Sequence, residues 1–164
     1  MERLWAPWRL AYVTGASAGG PGACIFCGAL DASPPPVLIL HRGARCFVIL
    51  NKFPYNNGHL MVVPNRHVAT LGEMDPAELG ELASLTRTAE MALTQAYSPH
   101  GLNVGINLGR AAGAGALGHL HVHLVPRWEG DTNFMTVVAD TRVVPETPGA
   151  TAERLRPILE QLLS

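Results

Sequence analysis

The sequence predicts an α+β fold built on an antiparallel sheet. Three observations lead there. Short apolar runs are joined by tight turns, one long amphipathic segment is set among them, and one run alternates histidine with aliphatic residues. With 164 residues and 48% hydrophobic content, the chain suits one domain, residues 1–164, with a sizeable core.

Residues 1–45 read as an irregular amino-terminal segment, because 15–22 and 32–36 are rich in Gly, Ser and Pro. Residues 45–51 predict a strand. The turn-rich stretch 52–58 joins it to a second strand at 59–64, and the short connection implies an antiparallel pair. Asp75-Pro76-Ala77-Glu78 is a helix start, with Asp75 as cap, Pro76 at the first helical position and Glu78 completing a capping box. The helix runs to about Tyr97 and places Leu79, Leu82, Leu85, Ala89, Ala92, Leu93 and Ala96 on one face. Pro99 and Gly101 end it. Residues 102–108 predict a third strand, 109–118 a Gly/Ala loop, and 134–144 a further strand after the histidine run. A closing amphipathic segment carries Leu155, Ile158, Leu159 and Leu162, and Pro157 should shorten or kink that helix.

Charge and hydropathy narrow the function. A net charge of −1 gives no general attraction to nucleic acid or to acidic membranes, so an anionic ligand must be held by local groups. No apolar run approaches the ~20 residues that span a bilayer. Glu2 and Pro7 interrupt the start, which therefore does not read as a signal peptide. Three cysteines do not suggest a disulfide framework, and a cytoplasmic protein is expected.

The chemistry gathers in Gly118-His119-Leu120-His121-Val122-His123-Leu124. On a strand, alternate side chains share a face, so the three imidazoles would line up about 7 Å apart, with Leu120, Val122 and Leu124 pointing into the core. Cys24-x-x-Cys27 supports structural zinc, a redox pair or coincidence. A thioredoxin-like redox site would want a βαβ context, which this sequence lacks. Cys46, in an apolar strand, is expected to be buried and inert. The small residues of the 109–116 loop, with Gly113, Ala114, Gly115 and Ala116 nearest the histidines, would let backbone N–H groups approach an anion. Arg110 in that loop is expected to be exposed.

His-x-His-x-His followed by two apolar residues resembles the signature of the histidine-triad superfamily of nucleotide hydrolases and transferases. The likeness extends to Leu4-Trp5-Ala6-Pro7-Trp8-Arg9, Cys24-Ile25-Phe26-Cys27, Asn51, Gly58-His59, Pro64-x-x-His67, Asn103-x-Gly105-x-Asn107 and Pro126-Arg127-Trp128. Together these are similar to the bacterial branch that contains diadenosine tetraphosphate phosphorylase, over roughly residues 1–145. The resemblance implies a HIT-like fold with a five-stranded antiparallel sheet, a long helix and a short carboxy-terminal helix. It implies His121 as the nucleophile toward an α-phosphorus, its tautomer fixed by the carbonyl of His119. His123 would donate to a phosphate oxygen, with His59 close by. Asn51 would meet ribose hydroxyls and Asn107 the phosphate region, with Phe26, Phe47 and Phe53 as candidates for the base pocket. His67 and His119 would join Cys24 and Cys27 around a structural zinc.

The implied substrates are dinucleoside polyphosphates, cleaved through a nucleotidyl-histidine with inorganic phosphate or water as acceptor. The alternatives are a nucleoside phosphoramidase or nucleotidyltransferase, or a nucleotide-binding module without turnover. A homodimer is implied as well. The chain departs from many members in having Gly115-Ala116 where they carry Gln-Ser or Gln-Thr. The stretch from about 143 to 164 is an extension that varies between branches.

Overall fold

The computed structural model describes residues 24–34, 36–116, 118–131 and 145–164. Within them, five strands form one antiparallel sheet in the order β1-β2-β3-β5-β4. Here β1 is Ile39–Arg42, β2 Cys46–Leu50, β3 Leu60–Pro64, β4 Gly101–Ile106 and β5 Val122–Arg127. Helices α1 (Ile25–Asp31), α2 (Pro76–Tyr97) and α3 (Pro148–Leu163) accompany the sheet.

Strands β2 and β3 are buried along their whole length because both faces are covered. Cys46, Val48, Leu50, Leu60 and Val62 pack with α2 and α3 in the larger core. Phe47, Ile49, Met61 and Val63 join Phe26 of α1 in a smaller cluster on the opposite face. The histidine run obeys the same alternation. Leu120, Val122 and Leu124 enter the larger core, which sends the neighbouring imidazoles to the α1 face.

Helix α2 starts as its sequence predicts. The Asp75 side chain accepts from the Glu78 N–H at 2.8 Å, and the Glu78 carboxylate accepts from the Asp75 N–H at 2.9 Å. Glu81 ties this helix to the β1–β2 turn, its Oε1 accepting from the N–H groups of Arg45 at 2.9 Å and Cys46 at 3.0 Å. Gly43 makes that contact possible, since a Cβ there would collide with the Glu81 carboxylate and the Cys46 carbonyl.

Several expectations are corrected. Residues 1–45 are not irregular throughout, for they include α1 and β1. Leu79 is exposed, because Glu78 rather than Leu79 falls in the buried stripe of α2. Helix α3 runs unbroken through Pro157 over 16 residues. Ala152, Leu155 and Leu159 anchor it in the core, and Arg156 donates to the carbonyls of Val37 and Ile39 at 2.9 and 3.1 Å. Packing thus outweighs the one helical hydrogen bond that proline removes. Strand β5 begins only at Val122, so His119 and His121 lie on the irregular approach to it. The 134–144 strand and the Trp5–Trp8 motif lie outside the described residues.

Candidate active site and metal centre

Five histidines and two cysteines converge on the α1 face, in two groups linked by the backbone carbonyl of His119. The first group is Cys24, Cys27, His67 and His119, whose ligand atoms all lie within 4.8 Å of one another. Cys24 Sγ is 3.2 Å from His119 Nδ1, and Cys27 Sγ is 3.4 Å from His67 Nδ1 and 3.6 Å from His119 Nδ1. The elements explain the meeting. Helix α1 carries Cys27, and Cys24 stands at its start. His67 follows β3. Gly118, at φ +82°, turns the chain so that Leu120 N–H pairs with the Val68 carbonyl at 2.7 Å. His119 Nε2 donates to the Pro64 carbonyl at 2.9 Å, which leaves its Nδ1 lone pair facing the thiols. Two thiols and two imidazoles in this arrangement fit a tetrahedral soft-metal site, with the carbonyl of Pro64 as the partner that orients one ligand. Without a cation, burial and the neighbouring Cys24 push the Cys27 thiol pKa up.

The second group is His121, His123 and His59. His121 Nδ1 lies 2.9 Å from the His119 carbonyl. A carbonyl only accepts, so that nitrogen carries the proton and Nε2 keeps a free lone pair. The His121 and His123 rings stand edge to face, 4.6 Å apart. His59 Nε2 is 3.0 Å from His123 Nδ1. The three rings therefore do not form an evenly spaced ladder. His119 turns to the cysteines, while His121 closes on His123.

All three rings of this group titrate below the ordinary histidine range. Burial, then the charges of His123 and His121, lowers His59 to about 3. Burial, then His121, lowers His123 to about 4. Burial lowers His121 as well, against the opposing hydrogen bond to His119. The imidazoles are neutral near pH 7, as a nucleophile and a directional donor must be.

The remaining predicted residues are more scattered. Asn51, at the end of β2, faces His59 with its Nδ2 3.4 Å from His59 Nδ1. Asn107 is half-buried just past β4. Phe26 is buried, its ring 5.0 Å from that of His121 and 5.3 Å from that of His119. Phe47 is sealed in the smaller core cluster and offers no surface to a ligand. Phe53 is 71% exposed on the β2–β3 loop, with Lys52 Nζ 5.6 Å from its ring centre. The three phenylalanines therefore do not line one pocket. In the glycine loop, the N–H groups of Gly113 and Ala114 bond to the carbonyls of Arg110 and Gly109. Those of Gly115 and Ala116 take no part in these two bonds. Arg110 is exposed.

Sequence reasoning gave no role to two residues that contribute, Tyr55 and Gly105. Tyr55 stacks over His59 and His123, with ring centres 4.7 and 5.8 Å away. An aromatic residue inside a Pro-Tyr-Asn-Asn turn was the available signal. Gly105 pairs with His123 across the sheet, and a Cβ there would meet nothing within 4 Å. The floor beside His123 is thus open to a ligand.

Comparison with known proteins agrees with this picture. The HIT domain family matches residues 36–130. The chain is 40% identical over 153 residues to the AP-4-A phosphorylase of Mycobacterium tuberculosis, covering 89% of this chain and 78% of that protein. Among solved structures, a Zn-bound histidine triad family protein from Mycobacterium smegmatis superposes with a TM-score of 0.68 at 28% identity, over 85% of this chain and 95% of that one. A hypothetical histidine triad nucleotide-binding protein from Sulfolobus tokodaii gives 0.70 at 29% identity, over 85% and 93% of the two chains.

Proposed function

The chain belongs to the HIT domain family, and on that footing we propose that it cleaves dinucleoside polyphosphates such as diadenosine tetraphosphate at an α-phosphorus. The observation that carries this reading is the lone pair left on His121 Nε2 by the bond of its Nδ1–H to the His119 carbonyl. In the first step Nε2 forms a bond to phosphorus, and the bond from phosphorus to the bridging oxygen breaks. The departing polyphosphate leaves as its anion, its bridging oxygen held by a hydrogen bond from His123 Nε2–H. In the second step inorganic phosphate attacks the same phosphorus, the N–P bond breaks, and His121 recovers its lone pair. Splitting one difficult displacement in two is the gain of nucleophilic catalysis. The N–H groups of Gly115 and Ala116 are the loop donors left for the phosphoryl oxygens.

Phosphate as acceptor is favoured by the likeness to a phosphorylase. Diadenosine tetraphosphate incubated with inorganic phosphate should therefore yield ADP and ATP, and turnover should stop when phosphate is withheld. AMP and ATP formed at the same rate without phosphate would replace this reading with hydrolysis. Nucleotide binding with no product would replace it with a binding module.

Cys24, Cys27, His67 and His119 would hold zinc. The ion would supply structural cross-linking of α1 to the approach to β5, outside the bond-making steps. The thiols of Cys24, Cys27 and Cys46 are free, which suits a reducing compartment such as the cytoplasm. Among the described residues no helix is long and apolar enough to cross a membrane.

Strand β4 is an edge of the sheet and is largely exposed, with Val104 at 50% exposure. An open apolar edge invites a second strand, and we propose that it pairs with β4 of another copy. Light scattering should give a mass near twice 17.5 kDa, falling to one chain in Val104→Lys. A monomeric wild-type protein would contradict this.

A further inference from the structure

We propose that Asn51 and the backbone N–H of Tyr55 are a positioning device that fixes which nitrogen of His123 carries its proton. The argument begins at the amide. Phe53 N–H donates to Asn51 Oδ1 at 2.9 Å, which orients the amide and leaves Nδ2 as the atom 3.4 Å from His59 Nδ1. Tyr55 N–H donates to the same His59 nitrogen at 3.0 Å. A nitrogen that receives two donors holds no proton of its own. Neutral His59 therefore carries its proton on Nε2, which points at His123 Nδ1 from 3.0 Å. His123 Nδ1 must accept, and its proton resides on Nε2.

The chain of bonds has a built-in direction. A main-chain N–H cannot be turned round as a side-chain amide can. The opposite tautomer of His59 would set two N–H protons against each other. The loop is held shut by Asn51 N–H to the His59 carbonyl at 3.0 Å and by His59 N–H to the Asn56 carbonyl at 3.2 Å. The Tyr55 ring covers both imidazoles. The consequence reaches the chemistry because no serine, threonine or tyrosine occurs from 108 to 128. No hydroxyl of the glycine loop or of the histidine run can donate to a departing oxygen, and that hydrogen bond falls to His123 Nε2–H.

This inference rests on the proposed cleavage reaction, and its test separates the two. Two substrates with the same nucleoside are compared in wild type and Asn51→Asp. Diadenosine tetraphosphate has a leaving group that benefits from a donor. Adenosine 5′-phosphosulfate has one, sulfate, that is too weakly basic to need it. A carboxylate at 51 accepts only, so it takes away one donor, repels the His59 Nδ1 lone pair and favours a proton there against the opposing Tyr55 N–H. A preorganised donor to an oxygen that gains charge is worth about 10²–10³ in rate. Asn51→Asp should accordingly lower kcat at least about tenfold more on the tetraphosphate than on the phosphosulfate. Equal losses on both substrates, or a rise in KM alone, would overturn the positioning role and leave Asn51 as a ribose contact. Failure of the wild type to cleave either substrate would instead overturn the cleavage reading.

Nitrogen-15 NMR of the wild-type imidazoles tests the tautomers without any variant. His59 and His123 should both show a protonated Nε2 and a bare Nδ1. A proton on Nδ1 of His123 contradicts the proposal.

Discussion

His121→Asn should lower turnover of diadenosine tetraphosphate by about 10⁴-fold or more, the scale of loss seen when a covalent nucleophile is removed. Asparagine is the informative replacement. Its amide can still donate to the His119 carbonyl, so the local hydrogen bond survives, while the attacking lone pair does not. Alanine would confuse the outcome. His121 is buried and packs against Phe26 and His123, and truncation there leaves a cavity costing a few kcal/mol. Circular dichroism and thermal melting of His121→Asn should match wild type to within a few degrees. Retention of more than about a tenth of the wild-type rate would remove His121 from the nucleophile's role.

The second large effect concerns the metal centre. Purified protein should contain about one zinc per chain, and Cys24→Ala should lose it. Binding to two thiolates and two imidazoles contributes directly to folding free energy. Even a loss of about 4 kcal/mol lowers the melting temperature of a chain this size by roughly 8–16 °C. Activity should fall along with stability, for a reason visible in one residue. The ring of His119 belongs to the cluster with Cys24, Cys27 and His67, and its carbonyl holds His121. Freeing the ring loosens the group that orients the nucleophile. Elemental analysis and melting with and without a chelator decide the matter. Absence of zinc, together with a melting temperature unmoved by chelation, would show that the four side chains meet for another purpose.

Much of the site was legible because it is written in local patterns. Asp75-Pro76-Ala77-Glu78 states a helix start in four residues, and the cap forms as read. The aliphatic partners of the histidines fix which face is buried. What the sequence hid depends on partners far along the chain. Helix α1 has no side-chain cap and buries Phe26 alone, so no periodic stripe announces it. Strand β1 is four residues long with a register irregularity. Pro157 reads as a breaker until α3 is packed into the core.

The histidines themselves teach the same lesson. Alternation placed them on one face, yet division of labour between them follows from contacts at sequence distances of 95 and 64 residues, to Cys24 and His59. The turn hinted at the ring of Tyr55 but not at its main-chain N–H, which acts in the site as well. No side-chain pattern encodes a backbone donor.

The most direct measurement is rapid-quench mass spectrometry of the protein mixed with diadenosine tetraphosphate in the absence of phosphate. One nucleotidyl group should appear per chain, localise to the peptide bearing residue 121, disappear on adding phosphate, and be missing from His121→Asn. Product formation by wild type with no such adduct at any time, or an adduct that persists in His121→Asn, would contradict covalent catalysis by this imidazole.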